Sequence, residues 1–260
     1  MKHSNQKSKT ELPFMEAKVK KRTKFSSPFK NQKSKIIIIL GPPGSGKGTQ
    51  AELLVERFNL FHFETSEIIE KNLAAAKKGD FVKVGNKKYF LSEEKKLRES
   101  GKWMSPSLIA FWVKTKIKEL AKEGKGIVFS GSPKTLYEAE EITLLIKRLY
   151  GVANVEIILI EQKPEVSIWR NTHRRICQLM RHSILYTEET AKLKKCPFDG
   201  SKLIFREDKN PEVIKSKLKE FQERTLPIID YFKKQGLKIK RINGEQSVAD
   251  VFKNILKALR

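Results

Sequence analysis

A glycine-rich segment that directly follows a short apolar run constrains the fold of this chain more than any other feature. The run is Ile36–Leu40, and the segment after it reads GPPGSGKGTQ over residues 41–50. A mostly β-branched run that ends at glycine predicts a buried strand, and the sequence predicts a helix over Gly46–Phe58. A strand, a tight loop and a helix are therefore expected in immediate succession.

The chemistry of this loop suits phosphate binding. Glycines let successive backbone N–H groups turn toward one phosphate, and the helix N-terminus adds positive potential there. Lys47 can then reach the β- and γ-phosphates of a nucleotide, and Thr49 can reach a Mg²⁺ ion. A tight turn with an exposed lysine is the alternative, which the strand–loop–helix context disfavours. The predicted ATP-binding residues of the loop are Gly44, Ser45, Gly46, Lys47, Gly48 and Thr49.

Strand-like and helical patterns alternate along the rest of the chain, which predicts an α/β fold of the P-loop NTPase type. Strand–helix alternation favours a five-stranded parallel sheet with helices on both faces. The predicted strands are Ile36–Leu40, Phe61–Phe63, Ile127–Phe129, Glu156–Ile160 and Lys238–Ile242. The further predicted helices are Ser66–Ala75, Ser105–Ala121, Leu136–Leu149, Pro164–Leu179, Pro211–Gln235 and Ser247–Leu259. Residues 76–96 are rich in lysine and glycine, and we expect them to be less regular.

The charge balance points to an anionic partner or substrate. The chain has 54 Lys and Arg against 30 Asp and Glu, a net charge of +24. Eleven basic and two acidic residues lie in residues 1–35, which lack periodicity and are expected to form a flexible basic arm ahead of a domain over residues 36–260. Nucleotide phosphates, nucleic acid bound through this arm, and a merely lysine-rich surface all remain open on composition alone.

Composition also excludes several classes of protein. Hydrophobic residues make up 39% of the chain, enough for a sizeable core. The longest apolar runs, Ile36–Leu40 and Leu108–Val113, are far shorter than the roughly 20 residues of a membrane span. The basic N-terminus has no apolar segment behind it, so no secretory signal is expected. Two cysteines cannot build a disulfide framework, and the expected location is the cytoplasm.

One departure from the general phosphate-loop pattern carries a resemblance. Position 48, where Ser or Thr is expected, holds glycine, and threonine follows at position 49. The form GxPGxGKGT resembles the loop of adenylate kinases and related nucleoside-monophosphate kinases. Further segments over residues 36–260 resemble that family in the same order: FETSEIIE (63–70), GKWM (101–104), SGSPKT (130–135), RNTHRR (170–175), RED (206–208) and ING (242–244).

The resemblance implies transfer of the γ-phosphoryl group of Mg·ATP to a nucleoside monophosphate, most of all AMP. It also implies a monomer that has no membrane contact and carries two mobile arms: a monophosphate-binding arm near residues 66–104 and a lid near residues 174–207. The catalytic residues so implied are Lys47, Arg174, Arg206 and Lys217, with Arg174 also on ATP. The monophosphate-binding residues so implied are Thr65, Met104, Gly131, Lys134, Glu138, Arg206 and Lys217.

Several positions depart from the family pattern. Glu70 stands where the family has an arginine that binds the AMP phosphate. A carboxylate there repels the phosphate, and one pair of unit charges at ~4 Å is worth ~4 kcal/mol at an effective dielectric of ~20. Ser130 replaces an aspartate that orients Mg²⁺-bound water. Lys134 and Lys217 replace arginines, which keeps the charge but loses the bidentate fork. The positions that differ near the two bases are Glu138 and Gln246.

These departures leave three interpretations open. In the first, the lysine-rich stretch Lys77–Lys96 supplies substitute cations and AMP is the acceptor. In the second, the acceptor is CMP, UMP or GMP, since a carboxylate at Glu138 accepts hydrogen bonds from exocyclic amino groups. In the third, the chain is a weakened ATPase or switch that binds RNA or a ribonucleoprotein through its basic arm.

The lid segment also resembles the zinc-ribbon lid of some adenylate kinases, through Cys177-x₂-Met180 and Cys196-x₂-Asp199. Zinc prefers four N, S or O ligands in a tetrahedron, and the thioether of Met180 is a poor one. His182 lies two residues further and can take its place. The predicted zinc ligands are therefore Cys177, His182, Cys196 and Asp199. A metal-free lid held by packing is the alternative.

Overall fold

The computed structural model describes residues 35–74, 76–100, 102, 104–205 and 210–260. The predicted basic arm lies almost entirely outside the described residues, as does Arg206. In chain order the strands are β1 (Ile36–Leu40), β2 (Phe61–Phe63), β3 (Phe81–Val84), β4 (Lys87–Phe90), β5 (Ile127–Ser130), β6 (Val155–Glu161), β7 (Arg175–Cys177), β8 (Ser183–Ile184), β9 (Leu203–Phe205) and β10 (Ile239–Asn243).

The helices account for most of the remaining described residues. In chain order they are α1 (Lys47–Phe58), α2 (Thr65–Ala74), α3 (Leu91–Glu99), α4 (Pro106–Lys122), α5 (Leu136–Tyr150), α6 (Pro164–His173), α7 (Glu188–Ala191), α8 (Pro211–Glu220), α9 (Leu226–Lys234) and α10 (Val248–Ala258). A 3₁₀ turn covers Val152–Asn154, and a π-helical segment, Phe221–Thr225, joins α8 to α9.

Five strands form the predicted parallel sheet, in the order β10-β6-β1-β5-β2. The central strand β1 pairs in parallel with β5 on one side and β6 on the other. Its five residues are all buried, with Ile36 and Ile38 in the core on one face and Ile37 and Ile39 in the core on the other. Burial on both faces explains why this strand is a continuous apolar run rather than an alternating one.

Helices cover both faces of the sheet, as predicted. On one face α1 and α10 pack through Ala51 and Ile255, among others. On the opposite face α4, α5 and α9 pack through buried side chains such as Ile117, Ile146 and Phe232. The phosphate loop therefore leaves the carboxyl end of a strand that is fixed from two sides.

The interpretation of residues 76–96 as less regular is wrong. They contain an antiparallel hairpin of β3 and β4, in which Phe81 lies opposite Phe90, followed by the start of α3. Val82 and Tyr89 pack in a small core with Leu73 and other residues of this region. Lysines on the outer face of the hairpin hide its alternating pattern in the sequence, because they make the segment read as polar throughout.

Two predicted helices also differ from the structure. The helix that begins at Pro164 ends at His173, because Arg175–Cys177 pairs in antiparallel fashion with β8 and β9 in a separate three-stranded sheet. The long helix from Pro211 is widened at Phe221–Thr225 into a π segment. Pro227 lacks the N–H group that would bond to the carbonyl four residues earlier, which accounts for the local change in helical pitch.

Among the described helices, none combines the length and the apolar composition that crossing a membrane requires.

Burial of α4 against the sheet makes a stability prediction. Ile117 on α4 is fully buried, whereas Leu144 on α5 is 66% exposed. Ile117→Ala should lower the free energy of unfolding by about 2–5 kcal/mol, because it leaves a cavity in the core. Leu144→Ala should change it by less than about 0.5 kcal/mol. Urea denaturation followed by circular dichroism measures both, and equal losses would contradict this packing.

Candidate active site

The phosphate loop connects β1 to α1 and is held in a conformation that needs glycine. Gly46 has φ 88°, in the left-handed region. A Cβ atom on Gly44 would lie 2.4 Å from Nδ2 of Asn171, a residue of α6. The ammonium group of Lys47 donates to the carbonyl oxygens of Gly41 at 2.7 Å and Pro42 at 2.8 Å. Lys47 is thus folded along the loop, with its charge at the loop's concave side.

The loop lines a cavity of about 340 Å³. The predicted ATP-binding residues that line it are Gly44, Gly46, Lys47, Gly48 and Thr49. Arg174, at the C-terminal end of α6, and Lys217, on α8, reach the same cavity. Nε of Arg174 donates to Oγ of Ser183 at 2.7 Å, which ties this guanidinium to the three-stranded sheet. Ser45 is instead buried beneath the loop, only 2% exposed.

A second cavity of about 300 Å³ adjoins the first. Gly131 and Lys134, both predicted to bind the monophosphate, line it together with Thr135. Lys47 and Lys217 line both cavities. Two adjoining spaces with shared cations are the arrangement that a reaction between two phosphorylated molecules requires.

Burial and neighbouring cations set the electrostatics of the site. Burial is the main cause and the positive charges of Lys134 and Arg174 add to it, and together they lower the pKa of Lys47 from 10.5 to about 8. A bound phosphate would reverse this effect, since an anion stabilises the protonated lysine. The site is therefore built to accept negative charge.

Of the predicted monophosphate-binding residues that the structure describes, three do not line either cavity. The Thr65 hydroxyl is buried and has no hydrogen-bond partner in the described part of the chain. Met104 is 5% exposed and packs in the core of the β3–β4 region. Glu138 accepts a hydrogen bond from the backbone N–H of Lys134 at 2.6 Å, and its own N–H donates to Oγ1 of Thr135. The Glu138 carboxylate is thus engaged at the start of α5.

The positions that depart from the family pattern have new neighbours. Oε2 of Glu70 lies 3.9 Å from Nη2 of Arg98 on α3, just beyond the lysine-rich stretch expected to supply cations. Ser130 Oγ lies 2.7 Å from Nε2 of His62, which in turn lies 3.6 Å from Oε1 of Glu64. Sequence reasoning missed His62, Glu64 and Arg98. The partners of His62 and Arg98 are distant in sequence, and Glu64 borders the phosphate cavity only through the fold.

The predicted zinc ligands converge in the three-stranded sheet. Ligand atoms of Cys177, His182, Cys196 and Asp199 all lie within 4.8 Å of one another. Nδ1 of His182 lies 3.5 Å from each cysteine sulfur and 3.3 Å from Oδ2 of Asp199. Tetrahedral zinc with bonds of about 2.0–2.3 Å spaces its ligands about 3.3–3.8 Å apart, and the three distances from His182 fall in that range. Sγ of Cys177 is closer to Oδ2 of Asp199, at 3.0 Å, so the donor set suits zinc after small shifts of these side chains.

Surrounding groups orient this cluster. The backbone N–H and the hydroxyl of Ser201 donate to Oδ1 of Asp199 at 2.9 and 2.7 Å. Both cysteines are buried. Met180 is 63% exposed, and its backbone N–H rather than its sulfur approaches Asp199. A metal ligand that accepts hydrogen bonds from a residue outside the ligand set, as Asp199 does, is typical of metal sites in proteins.

A parallel sheet, a glycine-rich loop after its central strand and cations converging from three helices define a P-loop protein that handles nucleotide phosphates. A family model described as adenylate kinase matches residues 39–237. The adenylate kinase of Methanothrix thermoacetophila is 31% identical over 223 residues, which cover 86% of this chain and 97% of the relative. That of Caldicellulosiruptor bescii is 32% identical over 226 residues, covering 86% and 98%.

A third relative, the adenylate kinase of Clostridium kluyveri, is 31% identical over 224 residues, covering 86% of this chain and 97% of the relative. The chain belongs to the adenylate kinase family. It is therefore a nucleoside-monophosphate kinase, from a family of phosphotransferases that convert ATP and AMP to ADP.

The lowered pKa of Lys47 predicts proton uptake on nucleotide binding. With a pKa of about 8 in the free protein and a higher pKa beside phosphate, Lys47 should bind about a quarter of a proton at pH 7.5 and about three quarters at pH 8.5. Titration calorimetry of ATP binding in buffers of different ionisation enthalpy measures this number. Lys47→Arg, whose side chain stays protonated, is the control and should show no such rise. Uptake that is the same at both pH values would contradict the assignment.

Proposed function

We propose that this chain transfers the γ-phosphoryl group of ATP to AMP in the two cavities that meet at Lys47. The observation that carries the proposal is the placement of Lys47 and Lys217 on both cavities, with Arg174 on the first and Lys134 on the second. Phosphoryl transfer depends almost entirely on positioning and charge stabilisation, which these four cations supply.

The donor phosphates are held by the backbone N–H groups of the loop and by Lys47. Thr49 is placed to hold the Mg²⁺ ion, which when bound neutralises charge on the β- and γ-phosphates. Arg174 and Lys217 brace the group in transit, where negative charge spreads over three equatorial oxygens. Arg206 is proposed to assist them, from outside the described residues.

The acceptor phosphate is proposed to lie beside Lys134 in the second cavity. One of its oxygens forms the new bond to the γ-phosphorus while the bond between that phosphorus and the β-bridging oxygen breaks, so that two ADP molecules result. The acceptor oxygen is already anionic, so no strong general base is needed. Thr65, whose hydroxyl is buried and unpartnered among the described residues, is proposed to bind the acceptor phosphate.

The acidic side chain at position 70 does not preclude this acceptor site. Arg98 lies 3.9 Å from Glu70 and offsets its charge on the same arm. The pair is largely exposed, so it contributes little to stability, but it removes a net repulsion toward phosphate. The preference for AMP is taken from the relatives. The Glu138 carboxylate does not itself select a base, because it already accepts a hydrogen bond from the Lys134 N–H.

We further propose that Cys177, His182, Cys196 and Asp199 hold a structural zinc ion, which when bound cross-links the short strands of the lid. The four ligand atoms lie close enough together for one tetrahedral ion. A cytoplasmic location would keep both thiols reduced and available to the metal. We expect the protein to act as a monomer.

The acceptor is identified by a coupled assay for ADP formation with Mg·ATP and AMP, CMP, UMP, GMP or no acceptor. AMP should support the fastest turnover. Lys217→Ala should lower kcat by about 10²–10³-fold, because it removes a cation from the transferring group. Lys215→Ala, on the same helix and 57% exposed, is the matched control and should leave kcat unchanged.

Other outcomes of this assay discriminate the alternatives. Faster turnover with CMP, UMP or GMP than with AMP would show that this other nucleotide is the acceptor. ADP release that is slow and independent of acceptor would contradict transfer and favour the weakened ATPase.

Metal content tests the zinc proposal. Protein produced with zinc in the medium should contain about one zinc per chain by elemental analysis. Cys196→Ser should lower this content substantially, whereas Met180→Leu should not, since Met180 is 63% exposed. Less than about 0.1 zinc per chain in the unaltered protein would refute the site.

A further inference from the structure

The Mg²⁺ ion that accompanies ATP needs more than the threonine of the phosphate loop. In P-loop sites a hydroxyl at the start of the helix is joined by a carboxylate at the end of a nearby strand. Here β5, beside the central strand, ends in Ser130. The other neighbour, β6, ends in Glu161, which is paired with Arg241 and lines a different cavity. Neither neighbour of β1 provides the carboxylate.

Among the residues that the structure describes, two carboxylates line the phosphate cavity, Glu52 and Glu64. Glu52 lies on α1 and is exposed to solvent. Glu64 directly follows β2, and its side chain is only 38% exposed. Glu64 lines the same cavity as Lys47 and Thr49, so it borders the space that the ATP phosphates would occupy.

The sheet places Glu64 beside the serine that ends β5. Strands β2 and β5 run parallel with Phe63 opposite Phe129, so Glu64 and Ser130 are the next residues at the same level. The rings of Phe63 and Phe129 are fully buried with centroids 4.5 Å apart, which fixes both strand ends. His62 Nε2 is hydrogen-bonded to Ser130 Oγ at 2.7 Å and lies 3.6 Å from Glu64 Oε1, so the three side chains are neighbours.

The negative charge of Glu64 is a second reason to expect a cation between this residue and the phosphates. A carboxylate close to bound triphosphate is repelled by it, and at ~4 Å such a pair costs ~4 kcal/mol at an effective dielectric of ~20. A divalent cation between the two groups turns that repulsion into attraction. Mg²⁺ keeps several of its waters and binds through one or two carboxylates in addition to substrate phosphates, which matches a single half-exposed glutamate.

We propose that Glu64, at a strand end beside His62 and Ser130, is the carboxylate that binds the hydrated Mg²⁺ of Mg·ATP. The inference deepens the proposed function, since it rests on ATP binding at the loop, but it does not depend on transfer to any acceptor.

The test compares the affinity of the β,γ-imido analogue of ATP in saturating Mg²⁺ and in EDTA, with no acceptor present. Mg²⁺ should tighten binding to the unaltered protein. Glu64→Gln should reduce this Mg²⁺ effect by about 10–100-fold. In EDTA the same variant should bind at least as tightly as the unaltered protein, because a negative charge beside the phosphates has been removed. A folding defect would weaken binding in both conditions.

Glu52→Gln is the matched control, as it removes the other carboxylate of the cavity, and it should keep the full Mg²⁺ effect. Adding Ser130→Asp to Glu64→Gln should restore the effect at least in part, since it places a carboxylate at the neighbouring strand end. The proposal is overturned if Mg²⁺ does not affect binding to the unaltered protein, if Glu64→Gln keeps the whole effect, or if Glu52→Gln loses as much. If Mg²⁺-dependent binding through Glu64 is found but no monophosphate is phosphorylated, the proposed transfer reaction is refuted and the role of Glu64 stands.

Discussion

Burial of β1 from both faces is the packing constraint on which the position of every other functional group depends. Ile36 and Ile38 contact one helical layer and Ile37 and Ile39 the other, so the strand can neither shift nor rotate without exposing apolar surface. The loop that leaves it is confined further by α6, where Asn171 leaves no space for a Cβ atom on Gly44. A loop confined in this way holds the half-buried Lys47 close enough to Lys134 and Arg174 for their charges to lower its pKa.

Charge around the nucleotide has been redistributed relative to the family pattern. Ser130 removes a carboxylate at the end of β5, and Glu64 places one at the end of the adjacent strand. Glu70 adds a carboxylate on α2, and Arg98 places a cation beside it from α3. In the first case a carboxylate is kept at the adjacent strand end, and in the second Arg98 neutralises Glu70 without restoring the positive charge of the family arginine. If each substitution is evaluated at its own position alone, its electrostatic cost is therefore overestimated.

Sequence reasoning predicted the elements that have long or strongly patterned segments. The five strands of the sheet and the helices on both faces are confirmed, because each buries a continuous or periodic apolar face. It failed at the β3–β4 hairpin and at β7, whose few residues carry too little pattern to distinguish a strand from a loop. Of the predicted cations, Lys47, Lys134, Arg174 and Lys217 converge on the two cavities. Met104 instead packs in the hydrophobic core of the β3–β4 region, and periodicity in the sequence cannot distinguish such packing from contact with a ligand.

By itself, the sequence determined the central strand, the phosphate loop and the spacing of the four metal-ligand candidates, because each of these depends on residues close together in the chain. Only the tertiary structure decided which carboxylates border the phosphate cavity and which arginine lies beside Glu70. The physical reason is that sheet order differs from chain order. β2 lies at the edge beside β5, and not beside β1, which precedes it in the chain. The contact of His62 with Ser130, which brings Glu64 beside the end of β5, is created by that crossover, and no local pattern records it.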